Sequence, residues 1–526
     1  MADSVAATFA AMSAMFAVYD RDHHGGVGQE IDVSLYEPLS RLVESQVIGY
    51  DQLGIVKQRM GNRLAEDSPR NTYQMRNGQW ISISASSQRT YERLVEAMGM
   101  PELIVDPRFK TNESRCVNDV ALDELLAAWF VKRDLSDIMY LFEHAGVVAG
   151  QAPYSKRSED SVHRLLYKAG TAALADAGLS WQAVNGLAVT SFRLPPDNVA
   201  VVAEHFGVEA RFLFQGVYGG ASGIIGMAHA ARAIRDGACD VVVCAAADAF
   251  DVASHNETLD HLNSSVRDYM SPVGFGGANG MFALHIRLYM DRYGATHEDF
   301  GRFCISLREN ALLNPNALFK SPLSMAEYLN ARLIADPLRL YDCVMPCIGG
   351  DAIVLVSEKI ARTLPGPSLK ILATEELHNY PAKTVYELPG SWEGFADKLY
   401  HTAACSPRDL DFIQVYDDYP VMSFIQLEGL QLCKPGEAGR LVRERGITVR
   451  GGGIPVNTGG GQLSAGQAGA SGGMIGVVED VTQLLGRAGG RQITCRRGLV
   501  SGYGMVAYGR GLSSSAAILE RVQDGE

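Results

Sequence analysis

A chain of 526 residues with 47% hydrophobic and 20% charged side chains has an ordinary globular composition, but it is too long for one hydrophobic core. Its formal charge of −13, with no basic block, excludes a chain-wide nucleic-acid footprint, which needs concentrated Lys and Arg. Nine cysteines, an odd number without a C-x-x-C pair, exclude a disulfide framework and a four-ligand zinc site, and no metal or tightly bound cofactor is expected.

In chain order, Ala6 to Tyr19 is Ala- and Met-rich without Pro or Gly and predicts a buried helix. Its low-polarity run, Ala6 to Val18, is too short for a bilayer and has no positively charged start. No membrane span and a cytoplasmic location are therefore expected. His23-His24, next to Gly25-Gly26, reads as a turn, and Gln29 to Leu35 alternates like a strand. Asn71 to Ser84 predicts a hairpin on Asn77-Gly78, followed by helices over Gln88 to Met98 and Asn118 to Phe130. The character of the chain changes after Gly146 to Gly150.

From there Ser158 to Ala177 predicts an amphipathic helix and Leu187 to Ser191 a short strand. Ser222 to Asp236 is apolar nearly all round and feeds the β-branched run Asp240 to Ala247, which is the pattern of a sheet covered on both faces. Phe412 to Val415 predicts a strand, Gly472 to Leu485 a buried helix, and Gly498 to Leu519 a terminal strand. Cys239, Cys244, Cys343 and Cys347 sit among apolar residues and read as buried reduced thiols. The repetition of pattern predicts two α/β halves, 152–360 and 361–526, behind a distinct segment, 1–150.

The first segment carries Ala2-Asp3-Ser4-Val5-Ala6-Ala7, Gly28 to Glu37 (GQEIDVSLYE), Gly61-Asn62-Arg63 and Asp106-Pro107-Arg108-Phe109. With these four motifs in order it resembles part of the class III, formyl-CoA transferase-like CoA-transferases. The resemblance implies an α+β segment in which an aspartate at the place of Asp3 forms an acyl anhydride. The half of that family's fold holding most of the CoA site lies upstream of this position, so Asp3 is read as vestigial: a solvated charge or a helix N-cap.

The remainder carries Pro153 to Ser158 (PYSKRS), Asp240 to Val243, Ile334 to Leu340 (IADPLRL), Pro435 to Gly439 and Pro455-Val456-Asn457. It resembles the sterol-carrier-protein type of thiolase over nearly all of 153–520, with the first strand of that family missing, which leaves an edge exposed unless an N-terminal segment covers it. The implied fold is α/β, a duplicated thiolase fold of two halves with central mixed sheets, the first half including a loop domain.

A thiolase needs a cysteine at the N-terminus of its buried helix, a histidine and a second cysteine for proton transfer, and an Asn or His at the thioester oxygen. Measured against that pattern, this chain has Gly220 at the nucleophile, Tyr416 at the oxyanion position, Gln467 in the glycine loop Thr458 to Gly472, and Ser501 for the acid/base cysteine. No histidine follows His401. Gly219, Gly220 and Gly502 are expected to bring backbone N–H groups to a carbonyl oxygen. Tyr503 and Tyr416 are the candidate acid/base groups, provided neighbours pull a phenol down from about 10. The pair Asp417-Asp418 reads equally as orienting Tyr416 or Tyr419 or as a solvated turn.

The resemblance therefore implies an acyl-CoA-processing enzyme without thiol chemistry, most simply retro-aldol cleavage of a branched or steroid-derived β-hydroxyacyl-CoA with coenzyme A as part of the substrate. The lipid-transfer-protein aldolase branch that it is similar to works with a partner subunit bearing an OB fold and a zinc ribbon, and thiolase-like chains form dimers, so a homodimer with such a partner is expected. The alternatives are Claisen-type acyl transfer or thiolysis, a non-catalytic acyl-CoA or lipid carrier, and CoA transfer by the first segment.

Overall fold

The computed structural model describes residues 2–522 except 57, 86, 134–144, 275–276, 365–366, 383–387, 389 and 508–509. The chain divides into two compact units, Met1–Leu135 and Ser136–Glu526.

In the first unit, α1 (Ala2–His24) is a single 23-residue helix with Asp3 in its first turn. It is longer than the run read from sequence, and it is not buried: Ala6 is its one buried residue, while Met15 and Phe16 are about two-thirds exposed. Its apolar residues lie all around the helix, so no single stripe specifies a core face. By length and composition it is the one described helix able to cross a membrane, with a mean hydropathy of 1.3. Gln29 to Leu35 forms no strand, because no described segment pairs with it and its backbone groups have no ladder to join. After α2 (Glu37–Leu53) the predicted hairpin appears as β1 (Arg70–Gln74) and β2 (Trp80–Ser84), in antiparallel register from Arg70↔Ser84 to Gln74↔Trp80. Gly78 takes the left-handed turn position at φ 82°. The hairpin is pinned to α4 (Asp119–Phe130), which follows α3 (Gln88–Ala97): Tyr73 Oη donates to Asp123 (2.6 Å), and its ring stacks on Phe130.

The second unit is built on two sheets. The first has the order β3-β7-β6-β4-β5, formed by β3 (Ala145–Ser155), β4 (Gly186–Thr190), β5 (Phe212–Gly216), β6 (Val241–Ala249) and β7 (Ile348–Ser357). The pairs β4–β5 and β4–β6 are parallel; β6–β7 and β3–β7 are antiparallel. The second sheet has the order β8-β11-β10-β9, formed by β8 (Leu369–His378), β9 (Phe412–Gln414), β10 (Arg497–Ala507) and β11 (Arg510–Arg521). Both sheets are mixed, as expected. The terminal segment is two antiparallel strands rather than one, since the small residues around Gly504 and Gly511 allow a reversal that alternation alone does not mark.

On the outer face of the first sheet lie α5 (Val162–Asp176), capped by Ser161, and α6 (Val199–Phe206), which bury Leu165, Leu166, Ala169 and Val202 against Leu187, Val243 and Val354. Between the sheets run α7 (Ser222–Arg235) and α12 (Gly472–Leu484), whose Ile224, Met227, Met474 and Val477 share one core with Val242, Ile353 and Val500. Two further helices cover the outer face of the second sheet, α10 (Ala396–Thr402) and α11 (Pro420–Gly429). A loop layer between β6 and β7 supplies α8 (Val252–Asp260) and α9 (Gly277–Tyr293).

The expectation of a missing first strand is overturned. Residues 145–155, across which the sequence changes character, are that edge strand. Ala145↔Ser357 through Ala152↔Gly350 pair without interruption, and Tyr154 Oη donates to the buried Asp351 (2.5 Å). At Gly150 an added Cβ would stand 2.1 Å from the Ala173 nitrogen of α5, so the strand lies directly on helix backbone that cannot yield. Gly150→Ala is predicted to destabilise the second unit by about 2 kcal/mol in denaturant unfolding, as overpacking typically does; an unchanged midpoint would show that β3 is not seated there.

Candidate active site

A cavity of about 700 Å³, open mouth included, lies where the N-terminus of α7, the loop after β9, the glycine loop and the end of β10 converge beneath α8 and α9. Gly219, Gly220, Tyr416, Asp418, Tyr419, Gln467, Tyr503 and His255 are on its wall. Phe192, Phe250, Leu259, Leu262, Phe282 and Val344 make most of the remaining lining apolar. No lining residue is a cysteine. Every cysteine in the described structure is unpaired, and burial pushes the Cys239 thiol up to about 11 and those of Cys343, Cys433 and Cys495 up to about 12, which makes them poor nucleophiles.

The α7 terminus explains the loss of the nucleophile. The first N–H groups of a helix have no acceptor within it and carry the positive end of its dipole. Gly219, at φ +55°, turns the chain into this terminus. At Gly220 an added Cβ would stand 2.0 Å from Cε2 and 2.2 Å from Cζ of Tyr416. The tyrosine ring occupies the space into which a side chain at 220 would project, and the Tyr503 carbonyl, 2.5 Å from that Cβ, closes it further. Tyr416 is fixed at both backbone ends: its N–H donates to Gln426 Oε1 (2.9 Å), and Gln426 Nε2 donates to its carbonyl (2.7 Å).

Tyr416 hydrogen-bonds with Gln467 at its side chain, and Gln467 Nε2 in turn donates to Gln462 Oε1 (2.8 Å). Burial, with Asp418 and Asp417 adding negative charge nearby, holds the Tyr416 phenol well above the usual tyrosine range. This reverses the expectation of a lowered phenol. The pair of carboxylates stands close to the ring in a dry setting, so Tyr416 stays a proton donor at neutral pH.

The other sequence candidates divide. Gln467 and Tyr503 reach the wall, but Tyr503 is 3% exposed and stacks on Trp392 with Phe282 edge-on. Ser501 and Gly502 do not line the cavity. Ser501 Oγ donates to Gln426 Oε1 (2.6 Å), so it steadies the clamp on Tyr416, and Gly502 allows β10 to pass against the Gly220 carbonyl. Asp3 belongs to the first unit, exposed near the start of α1.

The acidic pair is no solvated turn. Asp417 is fully buried and accepts the N–H groups of Gln462 (2.9 Å) and Leu463 (3.2 Å), fixing the glycine loop; burial pushes its carboxyl up to about 7. Asp418 faces the cavity and accepts the Tyr419 N–H, and burial again holds its carboxyl well above the usual range. Two more buried carboxylates bind the same loop to the first sheet. Asp248 accepts from Ser191 Oγ and from the N–H groups of Phe192, Arg193 and Ala470, while Asp351 accepts from Tyr154, Ser471 and Gln151.

Sequence reasoning missed His255, Tyr419 and the aromatic wall. His255, Thr258 and Leu259 line one face of α8 at helical spacing, with Leu262 just past its end, a signal present in the sequence but not separable there from ordinary amphipathicity. It also missed a cluster away from the cavity, where ligand atoms of His163, Asp197 and His205 lie within 4.8 Å of one another.

Comparison with known proteins places both parts. CoA-transferase family III matches residues 1–163, and the thiolase C-terminal domain-like family matches 390–521. Over 305 residues the chain is 32% identical to a steroid side-chain-cleaving aldolase of Thermomonospora curvata, covering 55% of this chain and 78% of that protein. The chain belongs to the thiolase superfamily, in its aldolase family. It is 34% identical over 316 residues to a 17-hydroxy-3-oxo-4-pregnene-20-carboxyl-CoA lyase of Mycobacterium tuberculosis, covering 57% of this chain and 81% of that one. Against a succinyl-CoA–D-citramalate CoA-transferase of Chloroflexus aurantiacus it is 37% identical over 161 residues, 31% of this chain and 40% of that one, so it spans less than half the length of that relative. Among solved structures it is similar to the Ltp2-ChsH2(DUF35) aldolase, with 30% identity, TM-score 0.61, and coverage of 72% of this chain and 97% of that one.

Asp417, with its folded value near 7 against about 4 in an unfolded chain, binds its proton more tightly when folded. Its contribution to stability is complete below about pH 4 and is lost as pH rises through 7. Asp417→Asn should remove this component. Unfolding free energies measured from pH 4 to 7 should fall for the wild type relative to the variant, by at most about 1.4 kcal/mol per pH unit; parallel profiles would contradict the assignment.

Proposed function

We propose that the second unit cleaves a branched, steroid-derived β-hydroxyacyl-CoA by a retro-aldol reaction, with Tyr416 and the amides of Gly219 and Gly220 holding the thioester oxygen. The observation that carries this reading is the Tyr416 ring standing over Gly220, where a thiolase keeps its nucleophile. A pocket with oxyanion donors but no cysteine suits chemistry that passes through an enolate without an acyl-enzyme. The substrate's β-hydroxyl loses its proton, the Cα–Cβ bond breaks to leave a ketone, and its electron pair enters the thioester as an enolate. The enolate oxygen lies against the helix N-terminus, and protonation at the α-carbon releases a shortened acyl-CoA. The protonated phenol of Tyr416 suits it both to hydrogen-bond the enolate and to return that proton.

The apolar lining supports a hydrocarbon substrate, and the likeness to the steroid side-chain-cleaving aldolase and the pregnene-carboxyl-CoA lyase supports a steroid one. Tyr503 is assigned the lesser role of shaping the wall behind Tyr416, and Gln467 that of orienting the phenol. We place the protein in the cytoplasm, where CoA thioesters are made and consumed. We assign it a homodimer through the edge strand β5, which has one neighbour among the described residues and leaves Leu213 40% exposed. The likeness to the Ltp2-ChsH2(DUF35) aldolase supports a partner subunit, for which we propose the OB-fold and zinc-ribbon type.

Incubation with a β-hydroxyacyl-CoA carrying a branched or steroid side chain should release a ketone and a shortened acyl-CoA without added free CoA. A requirement for free CoA would indicate thiolysis instead. Tyr416→Phe should lower kcat at least about 100-fold with KM little changed, the size of effect seen when one oxyanion donor is removed. Tyr503→Phe should cost less.

A further inference from the structure

A retro-aldol cleavage needs a group that takes the proton from the β-hydroxyl, and the donors already placed on this wall do not provide it. Tyr416 is protonated and tied to Gln467. Tyr419, whose phenol burial likewise holds high, donates its hydroxyl to Asn279 Oδ1 (2.8 Å). Asp418 is held toward its protonated form by burial. Two further titratable side chains line the cavity: Tyr503, packed between Trp392 and Phe282, and a residue on α8.

This helix is held firmly. Asp251 caps its start, accepting the Ser254 N–H (2.8 Å) while Ser254 Oγ accepts the Asp251 N–H, and Thr258 Oγ1 is occupied by the Ser254 carbonyl. Of the three residues it turns to the cavity, Leu259 is apolar and the Thr258 hydroxyl is engaged within the helix. The third is His255. The residue is 9% exposed, and no hydrogen bond joins its ring to another described residue. The residue lines the cavity rather than lying sealed in the core. The ring is set edge-on to Phe250, 5.5 Å between centroids, and Arg193 covers the same phenyl ring. A buried imidazole without a protein partner is costly unless something else satisfies it.

We propose that His255 is the general base of the reaction, accepting the β-hydroxyl proton of the bound acyl-CoA. This rests on the aldolase reading above. One imidazole nitrogen takes the O–H proton, the oxygen's electron pair forms the ketone, and the Cα–Cβ pair passes into the enolate at the α7 terminus. Tyr416 then protonates the α-carbon. The imidazolium and the phenolate left behind exchange one proton through solvent, so the cycle closes with no other reactant. Burial also pushes the His255 imidazole down to about 4, so it is unprotonated and ready to accept at neutral pH. The other titratable groups lining the cavity are Asp418, Tyr416, Tyr419 and Tyr503, with Asp251 at the start of α8 and Arg193 over the Phe250 ring.

The test uses the full-length protein with a β-hydroxyacyl-CoA that the wild type cleaves. His255→Gln keeps a polar, neutral side chain that cannot take a proton. It should lower kcat about 100-fold or more, leave KM within about threefold, and abolish the acid limb of the kcat profile, in line with the usual contribution of a general base. His255→Ala should be inactive in the same way and regain part of its rate when free imidazole is added, a rescue that a structural role would not give. Cleavage by His255→Gln within threefold of wild type overturns the proposal and leaves the aldolase reading intact. A wild type that binds but cleaves no β-hydroxyacyl-CoA overturns that reading and the proposal together. A His255→Gln protein whose melting temperature collapses is set aside for His255→Asn, judged by the same kcat criterion.

Discussion

One steric exclusion organises the second unit: the ring of Tyr416 fills the volume in front of Gly220, at the N-terminus of a helix buried between two sheets. A nucleophilic side chain at 220 and an aromatic ring at 416 cannot both be present. Once the ring holds that place, the helix terminus keeps its amides and dipole but loses any covalent partner for a thioester. What remains favours a transient negative charge on oxygen rather than an acyl-enzyme. The clamp of Gln426 on both backbone groups of Tyr416, itself steadied by Ser501, fixes the backbone that carries the ring.

That arrangement depends on the glycine loop staying in register with both sheets, and buried carboxylates hold it there. Asp417 ties the loop to the second sheet, and Asp248 and Asp351 tie it to the first. Buried carboxylates are expensive unless hydrogen-bonded, and these three spend their lone pairs on loop amides and hydroxyls that lack other partners. Asp351 also receives Tyr154 from β3, so the edge strand and the glycine loop are joined through one side chain.

The elements with strong local signals were legible in the sequence. The all-round apolar helix α7, the β-branched strand β6 and the hairpin on Asn77-Gly78 appear where periodicity and turn chemistry put them. The family motifs led to Gly220, Tyr416 and Gln467, and all three meet on one wall. What could not be read was pairwise. Nothing in the local sequence says that the Tyr416 ring sits over Gly220, that Ser501 turns to Gln426 instead of the cavity, or that α8 folds His255 over the same space. The direction of the Tyr416 shift was misread for the same reason, since it depends on how dry the site is and on which carboxylates fold beside it. The edge strand β3 is hidden in the sequence because its residues straddle a change in family character, and α1 reads as buried there because apolar composition does not reveal whether anything covers it.

The most direct test is a crystal structure with a non-cleavable β-hydroxyacyl-CoA analogue. The account predicts the thioester oxygen about 3 Å from both Tyr416 Oη and the Gly220 nitrogen, with the Tyr416 ring unmoved over the glycine. A thioester bound elsewhere, or a Tyr416 ring swung away so that another group approaches the α7 terminus, would contradict it.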